Sequence, residues 1–194
     1  MIKLAVITGS TRPNRFGPKP AQWIFDLAKT HPDIEVELID VKELNLPFLD
    51  EPTPPSSGEY TQAHTKEWSE KVKAVDGFIF VTAEYNHTIP AALKNAIDFL
   101  WLEWNYKPAA FVSYGAEAGG ARAVEHLRNV SGQLKLYDLR SHILIPNYWT
   151  QMDEAGTFTA TEAQIKAAHE LVEETAFWAE TMKQAREKRA AKTA

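Results

Sequence analysis

The chain has 194 residues, 44% hydrophobic and 24% charged, with no cysteine and a formal net charge of −5. That length suits one core around a five-stranded sheet, and the composition lacks the run of roughly twenty apolar residues that a membrane span needs. The missing cysteines exclude a disulfide framework, a thiolate nucleophile and dithiol redox chemistry and fit a cytoplasmic protein, while the acidic balance gives no basic footprint for nucleic acid.

The chain opens on "IKLAVIT" (2–8), which lacks a small-residue cleavage site and runs straight into a glycine turn, so it reads as a first strand and not as a signal peptide. "GSTRPNRFG" (9–17) follows. Gly9 permits a tight turn, Ser10 and Thr11 offer hydroxyls, and Arg12 and Arg15 offer guanidinium groups ahead of a helix N-terminus. These are the parts of a phosphate site, although two surface arginines on a solvated turn would read the same way. Neither G-x-G-x-x-G nor a Gly-Lys-Ser/Thr ending is present, so the usual dinucleotide fingerprint and a nucleotide triphosphatase are not indicated.

Ala21, Ile24, Phe25 and Ala28 keep helical spacing, and "IEVELI" (34–39) is a second strand. "LPFLDEPTPPSSGEY" (46–60) is then the one long loop. Its prolines oppose regular structure but limit its freedom, which suits an ordered wall. Trp68, Val72 and Val75 mark another helix, and "GFIFVT" (77–82) a third strand.

"AEYNHT" (83–88) lies at that strand's end, where Glu84, Tyr85, Asn86 and His87 stand in a row. They suit a flat amphipathic ring, with polar groups at its edge and an aromatic against its face. Local structure explains them as well: Asn86 fits a turn, Thr88 a helix cap, and Pro90 a first helical turn. Ile89, Leu93, Ile97 and Leu100 continue as a helix, and "FLWLEWNYKP" (99–108) concentrates aromatics that either seal the helix on the sheet or form a subunit interface.

"AAFVSY" (109–114) is a fourth strand. It leads into "SYGAEAGGARAVEHLR" (113–128), where Ser113, Tyr114 and Gly115 precede two further glycines and a helix carrying Val124, Leu127 and Leu134. Glycines there permit either close approach to a ligand or a plain turn. "LRSHILI" (139–145) is the fifth strand. In the last helix "TEAQ" (161–164) has capping-box spacing, and Ile165, Ala168, Val172, Ala179 and Met182 share one face. Residues 1–184 thus read as one domain and 185–194 as a basic tail expected to fray at its end.

The alternation predicts an α/β fold with a parallel sheet covered on both faces, and places any ligand outside the carboxyl ends of the strands where the winding reverses. The scattered histidines have no metal-ligand spacing, and no G-x-S-x-G or H-E-x-x-H occurs. No side chain is assigned as catalytic and no metal is expected. A bound cofactor would carry any hard chemistry.

Taken together and in order, "GSTRPNRFG", "AEYNHTIPAALKNAID" and "SYGAEAGGARAVEHLR" resemble the NADPH-dependent FMN reductase family of flavodoxin-like proteins, over about residues 2–144. The resemblance implies a flavodoxin-like three-layer sandwich with strand order 2-1-3-4-5. It implies bound FMN, NADPH as co-substrate and a small-molecule electron acceptor in a ping-pong cycle, and association as a homodimer or homotetramer. It implies that Ser10, Arg12 and Arg15 meet the FMN phosphate, that Glu84, Tyr85, Asn86 and His87 border the isoalloxazine ring, and that Ser113, Tyr114 and Gly115 lie on its other side. The second motif commonly begins with Pro in that family; here the position is Ala83. A flavodoxin-type electron carrier and a flavin-free interaction domain are the rival readings.

Overall fold

The structure, a computed structural model, describes residues 1–193. Five strands form one sheet: β1 (Ile2–Thr8), β2 (Ile34–Asp40), β3 (Gly77–Ala83), β4 (Pro108–Tyr114) and β5 (Tyr137–Ile145). All pair in parallel, in the order β2-β1-β3-β4-β5. The expected flavodoxin-like topology is therefore the observed one. Every residue of β3 and β4 is buried, because helices cover both faces of the sheet centre, which is why these strands read as unbroken apolar runs.

Six helices connect and cover them: α1 (Pro18–Ala28), the short α2 (Val41–Leu44), α3 (Ala63–Ala74), α4 (Ala91–Asp98), α5 (Ala121–Gln133) and α6 (Glu162–Thr193). One face of the sheet packs Phe78, Phe80 and Phe111 against Trp68 of α3, Leu93 and Ile97 of α4, and Val124 and Leu127 of α5. The other packs Val6, Ile79 and Val112 against Ile24 of α1 and Leu171 and Val172 of α6. Strand side chains alternate between these two cores, as the period of two requires.

The aromatic segment after α4 seals the first core. Trp104 is fully buried against Trp68, Phe78 and Phe80, and its indole N–H donates to the Ile97 carbonyl at 3.1 Å. At the start of α6 the capping box is formed: the Thr161 N–H donates to Gln164 Oε1 at 2.9 Å, and the Gln164 N–H to Thr161 Oγ1 at 3.2 Å.

Two details differ from the sequence expectation. Ile165 is 41% exposed and Leu171 takes the inward place, because the first turn of α6 faces the sheet with Gln164, whose amide donates to the Leu144 carbonyl. The basic segment expected as a tail is helical through Thr193. Arg186 there pairs with Asp76 and donates to the Tyr106 carbonyl, and Arg189 donates to the Tyr106 hydroxyl. No helix among the described residues is long and apolar enough to cross a membrane.

Candidate cofactor site

Because β2 and β3 flank β1 on opposite sides, the chain leaves β1 and β3 in diverging directions and a crevice opens at their carboxyl ends. The loops singled out in the sequence meet there. Ser10, fully buried after β1, shares a hydrogen bond of 2.6 Å with the Tyr85 hydroxyl after β3. Gly9 permits this approach: a Cβ at that position would stand 2.7 Å from Leu93 Cδ2 on α4.

In the first loop the two arginines have different fates. Arg15 turns inward and forms an ion pair with Asp40 at the end of β2, its side chain only 10% exposed. Its Nε is buried without a hydrogen-bond partner. Arg12 is exposed, with no side-chain bond to a described residue. The helix that follows, α1, starts without a side-chain cap and with Pro in its first turn.

The loop after β3 is a tight two-residue turn. The Tyr85 N–H donates to the Thr88 carbonyl at 2.8 Å and the Thr88 N–H to the Tyr85 carbonyl at 3.0 Å, with Asn86 at φ 49° and His87 at φ 68°. Left-handed backbone is ordinary for Asn and less so for His, so this turn presents both side chains to solvent at a cost in backbone strain. Thr88 does not cap α4. Its hydroxyl meets His126 Nδ1 at 2.6 Å, and the N-cap position is Pro90, which leaves the start of α4 without a side-chain cap.

Glu84, its side chain 7% exposed, faces away from this turn toward α5. It accepts from the Arg122 N–H at 3.1 Å and from Arg122 Nε at 2.5 Å, which supplies the cap that Gly120 lacks. The carboxylate therefore joins two loops of the site as a brace. Its own N–H donates to the Tyr114 carbonyl at 3.1 Å, continuing the β3–β4 ladder by one residue.

At the end of β4, Ser113 and Tyr114 point to opposite faces. The Ser113 hydroxyl is buried and donates to the Gly119 carbonyl at 2.9 Å, packed so closely under Gly120 (φ 89°) that a Cβ there would stand 2.7 Å from the Ser113 Cβ. Tyr114 is buried between Phe16 and Tyr148. Burial, with Tyr85 and Tyr148 nearby, pushes its phenol above the ordinary value, so it stays neutral. Gly115 is half-exposed at the rim, its N–H donating to Ile145 and its carbonyl accepting from Tyr148.

The structure thus brings Ser10, Tyr85, Asn86, His87 and Gly115 to one edge of the sheet, with Arg12 beside them. Glu84, Arg15, Ser113 and Tyr114 lie behind that edge and hold it. Sequence reasoning passed over Asp40. The signal for Asp40 was available in "DVKEL", where an Asp ends a strand three residues before a Glu: its side chain accepts from the Lys42 N–H and caps α2. Among the described residues no group of three or more His, Asp or Glu could hold a metal ion.

A doubly wound sheet with polar, partly strained loops gathered at its switch point defines a flavodoxin-like protein. The pattern of the NADPH-dependent FMN reductase family matches residues 2–150, and the chain belongs to that family. It is an oxidoreductase. Among its relatives are an NAD(P)H-dependent FMN reductase of Schizosaccharomyces pombe, 44% identical over 136 residues (69% of this chain, 68% of that protein), and an NADPH:quinone oxidoreductase of Arabidopsis thaliana, 32% identical over 143 residues (71% and 70%). In fold it is similar to the flavoenzyme NAD(P)H:acceptor oxidoreductase FerB of Paracoccus denitrificans, with a TM-score of 0.73 at 22% identity, covering 94% of this chain and 99% of that one.

Proposed function

We propose that this chain binds FMN at the switch-point edge and passes reducing equivalents from NADPH to a small oxidised acceptor, such as a quinone, free flavin, azo compound or metal oxyanion. The observation that carries this reading is the Ser10–Tyr85 junction, which puts the phosphate-type loop and the strained polar turn against each other at one open edge. The residues fit the cofactor. Arg12 is unpaired, Arg15 Nε is buried without a partner, and the start of α1 has no side-chain cap, so this loop has donors to spare for a dianion.

Ser10 and Arg12 are assigned to the phosphate, with Arg15 fixing the loop through Asp40. Tyr85, Asn86 and His87 are assigned to one border of the ring and Gly115, through the close approach that its missing side chain allows, to the other; Glu84, Ser113 and Tyr114 support them from behind. When bound, the flavin supplies hydride and electron transfer in both half-reactions. The chain's own residues orient it, present backbone N–H groups to its polar edge and hold a co-substrate against its open face. No side chain is required as a general acid, since solvent reaches an exposed edge.

One face serving both NADPH and acceptor in turn implies ping-pong kinetics. The deciding experiment is an anaerobic visible spectrum of the FMN-loaded protein with NADPH added. Rapid bleaching of the flavin band is expected. A bound flavin that stays oxidised would establish an electron carrier instead, and failure to bind flavin would overturn the site. Assembly as a homodimer or homotetramer in the cytoplasm belongs to the same reading; light scattering that gives a monomer would remove the first part of it.

A further inference from the structure

Beside the loop after β1 lies a cleft of about 480 Å³ that the assignments above leave unused. It runs from Thr11, next to the Ser10–Tyr85 junction, past Lys42 and Asn45 at the end of α2, to Phe48 and to Ala91 and Asn95 on α4. Three features of it point to one kind of ligand.

The first is how Phe48 is held. The Asn95 amide donates to the Pro47 carbonyl at 2.7 Å and accepts from the Leu49 N–H at 3.1 Å, gripping the chain on both sides of Phe48. The ring between them is 87% exposed. A large apolar ring left in water forgoes the gain of burial. Fixing its backbone in that position suits a stacking surface better than a random exposure.

The second is charge. Of the cations around this edge, Arg12 is already assigned to the FMN phosphate, and Arg15 is paired with Asp40, Arg122 with Glu84 and Lys94 with Asp98. Lys42 is exposed, and its ammonium makes no side-chain bond to a described residue, while its backbone is fixed by the bond from its N–H to Asp40. No carboxylate lines the cleft. The third is the start of α4, which faces the cleft through Ala91 and has no side-chain cap, so its positive end adds to the field of Lys42.

A planar aromatic carrying a phosphate satisfies all three. We propose that this cleft is the adenosine subsite for NADPH, with the Phe48 ring stacking on adenine and Lys42 pairing with the 2′-phosphate. This inference rests on the reductase reading above. It makes Lys42 a specificity-determining residue, since the 2′-phosphate is the one group that separates NADPH from NADH.

The test uses FMN-loaded protein, with flavin-free protein as its control in calorimetry, and two readouts. Calorimetry compares adenosine 2′,5′-bisphosphate with adenosine 5′-monophosphate. The bisphosphate is expected to bind more tightly, Lys42→Ala to remove that advantage, and Phe48→Ala to weaken both nucleotides alike. In steady state the ratio of kcat/KM for NADPH over NADH is expected to fall about tenfold in Lys42→Ala, the loss of one charge-assisted contact. An unchanged ratio, equal binding by wild type and Lys42→Ala, or nucleotide binding only to flavin-free protein would overturn the subsite; the last result would make the cleft part of the flavin site. If neither NADPH nor NADH bleaches the flavin, the reductase reading fails, and calorimetry still decides the cleft by itself.

Discussion

Ser10 and Tyr85 stand 75 positions apart in the chain and share a hydrogen bond of 2.6 Å between side-chain oxygens. The bond joins the ends of two neighbouring strands, β1 and β3, where the winding of the sheet reverses. Ser10→Ala and Tyr85→Phe are each expected to lower stability by about 1 kcal/mol, the usual net value of such a bond. Because one bond is lost in either case, the double variant should be little worse than each single one. Urea unfolding of the four proteins measures the coupling, and additive losses would show that the two hydroxyls act separately.

The two arginines of the first loop should separate in their effects. Arg12 is exposed and unpaired, so Arg12→Ala is expected to weaken FMN binding about tenfold while leaving unfolding unchanged. Arg15 is nearly buried on Asp40, so Arg15→Ala leaves a part-buried carboxylate without its cation and should also destabilise the fold by about 1–2 kcal/mol. Fluorescence titration of FMN and thermal unfolding distinguish the two. Unchanged FMN affinity in the double variant would remove the phosphate assignment.

The fold was legible because the signals that set it are local. β3 and β4 are apolar throughout since both faces are covered, and the capping box at Thr161 and Gln164 announced α6. β5 starts earlier than its apolar run because Tyr137 and Asp138, on an edge strand, are fixed by ladder pairing with Pro108 and Ala109 and not by burial. α2 has four residues, too few to show a period. At the site the loops were readable but the directions of their side chains were not. Glu84 turns to Arg122 and Arg15 to Asp40, across 38 and 25 positions, and no spacing rule reports such partners. Motif order therefore picked out loops that the fold brings to one edge of the sheet, without separating the side chains exposed there from those turned to partners behind it.

At the opposite end of the sheet Lys107 gives a pH prediction. It is 5% exposed, its ammonium donates to the Val72 carbonyl at 2.6 Å, and it lies over the Phe78 ring. Burial, helped by the charge of Arg186, pulls its pKa from 10.5 to about 7, against Asp76 and Glu103, which favour the charge. Below about pH 7 both folded and unfolded chains hold the proton, and the cost of burying the ammonium is fully present. Between about 7 and 10.5 only the unfolded chain holds it, so stability rises with pH through that window. Lys107→Met is expected to be more stable than wild type at pH 6 and to lose this part of the slope. Urea midpoints from pH 6 to 9 measure it, and parallel curves would refute the shift.

The Pro-rich loop carries a dependence of the same sign in the acid range. Glu51 accepts from the Thr61 N–H and hydroxyl at 2.8 Å each and from the Gln62 N–H at 3.0 Å, so it caps α3, whose own N-cap Gln62 makes no side-chain cap bond. Burial works to raise its pKa, but the bonds from Thr61 and Gln62, with the Thr65 hydroxyl nearby, prevail and hold it at about 2, below the ordinary 4.5. With a depressed folded value, the stabilisation is complete above about pH 4.5 and is lost as pH falls through about 2. Residues 46–62 should therefore lose hydrogen-exchange protection below pH 4 before the sheet does. Glu51→Gln should show low protection there even at pH 6, since an uncharged amide accepts these bonds more weakly. Pro47 and Phe48 belong to the wall that this loop forms, so the same variant should weaken adenosine 2′,5′-bisphosphate binding at pH 6. Full protection of the loop at pH 2 in wild type would show that Asn95 and the prolines hold it without Glu51.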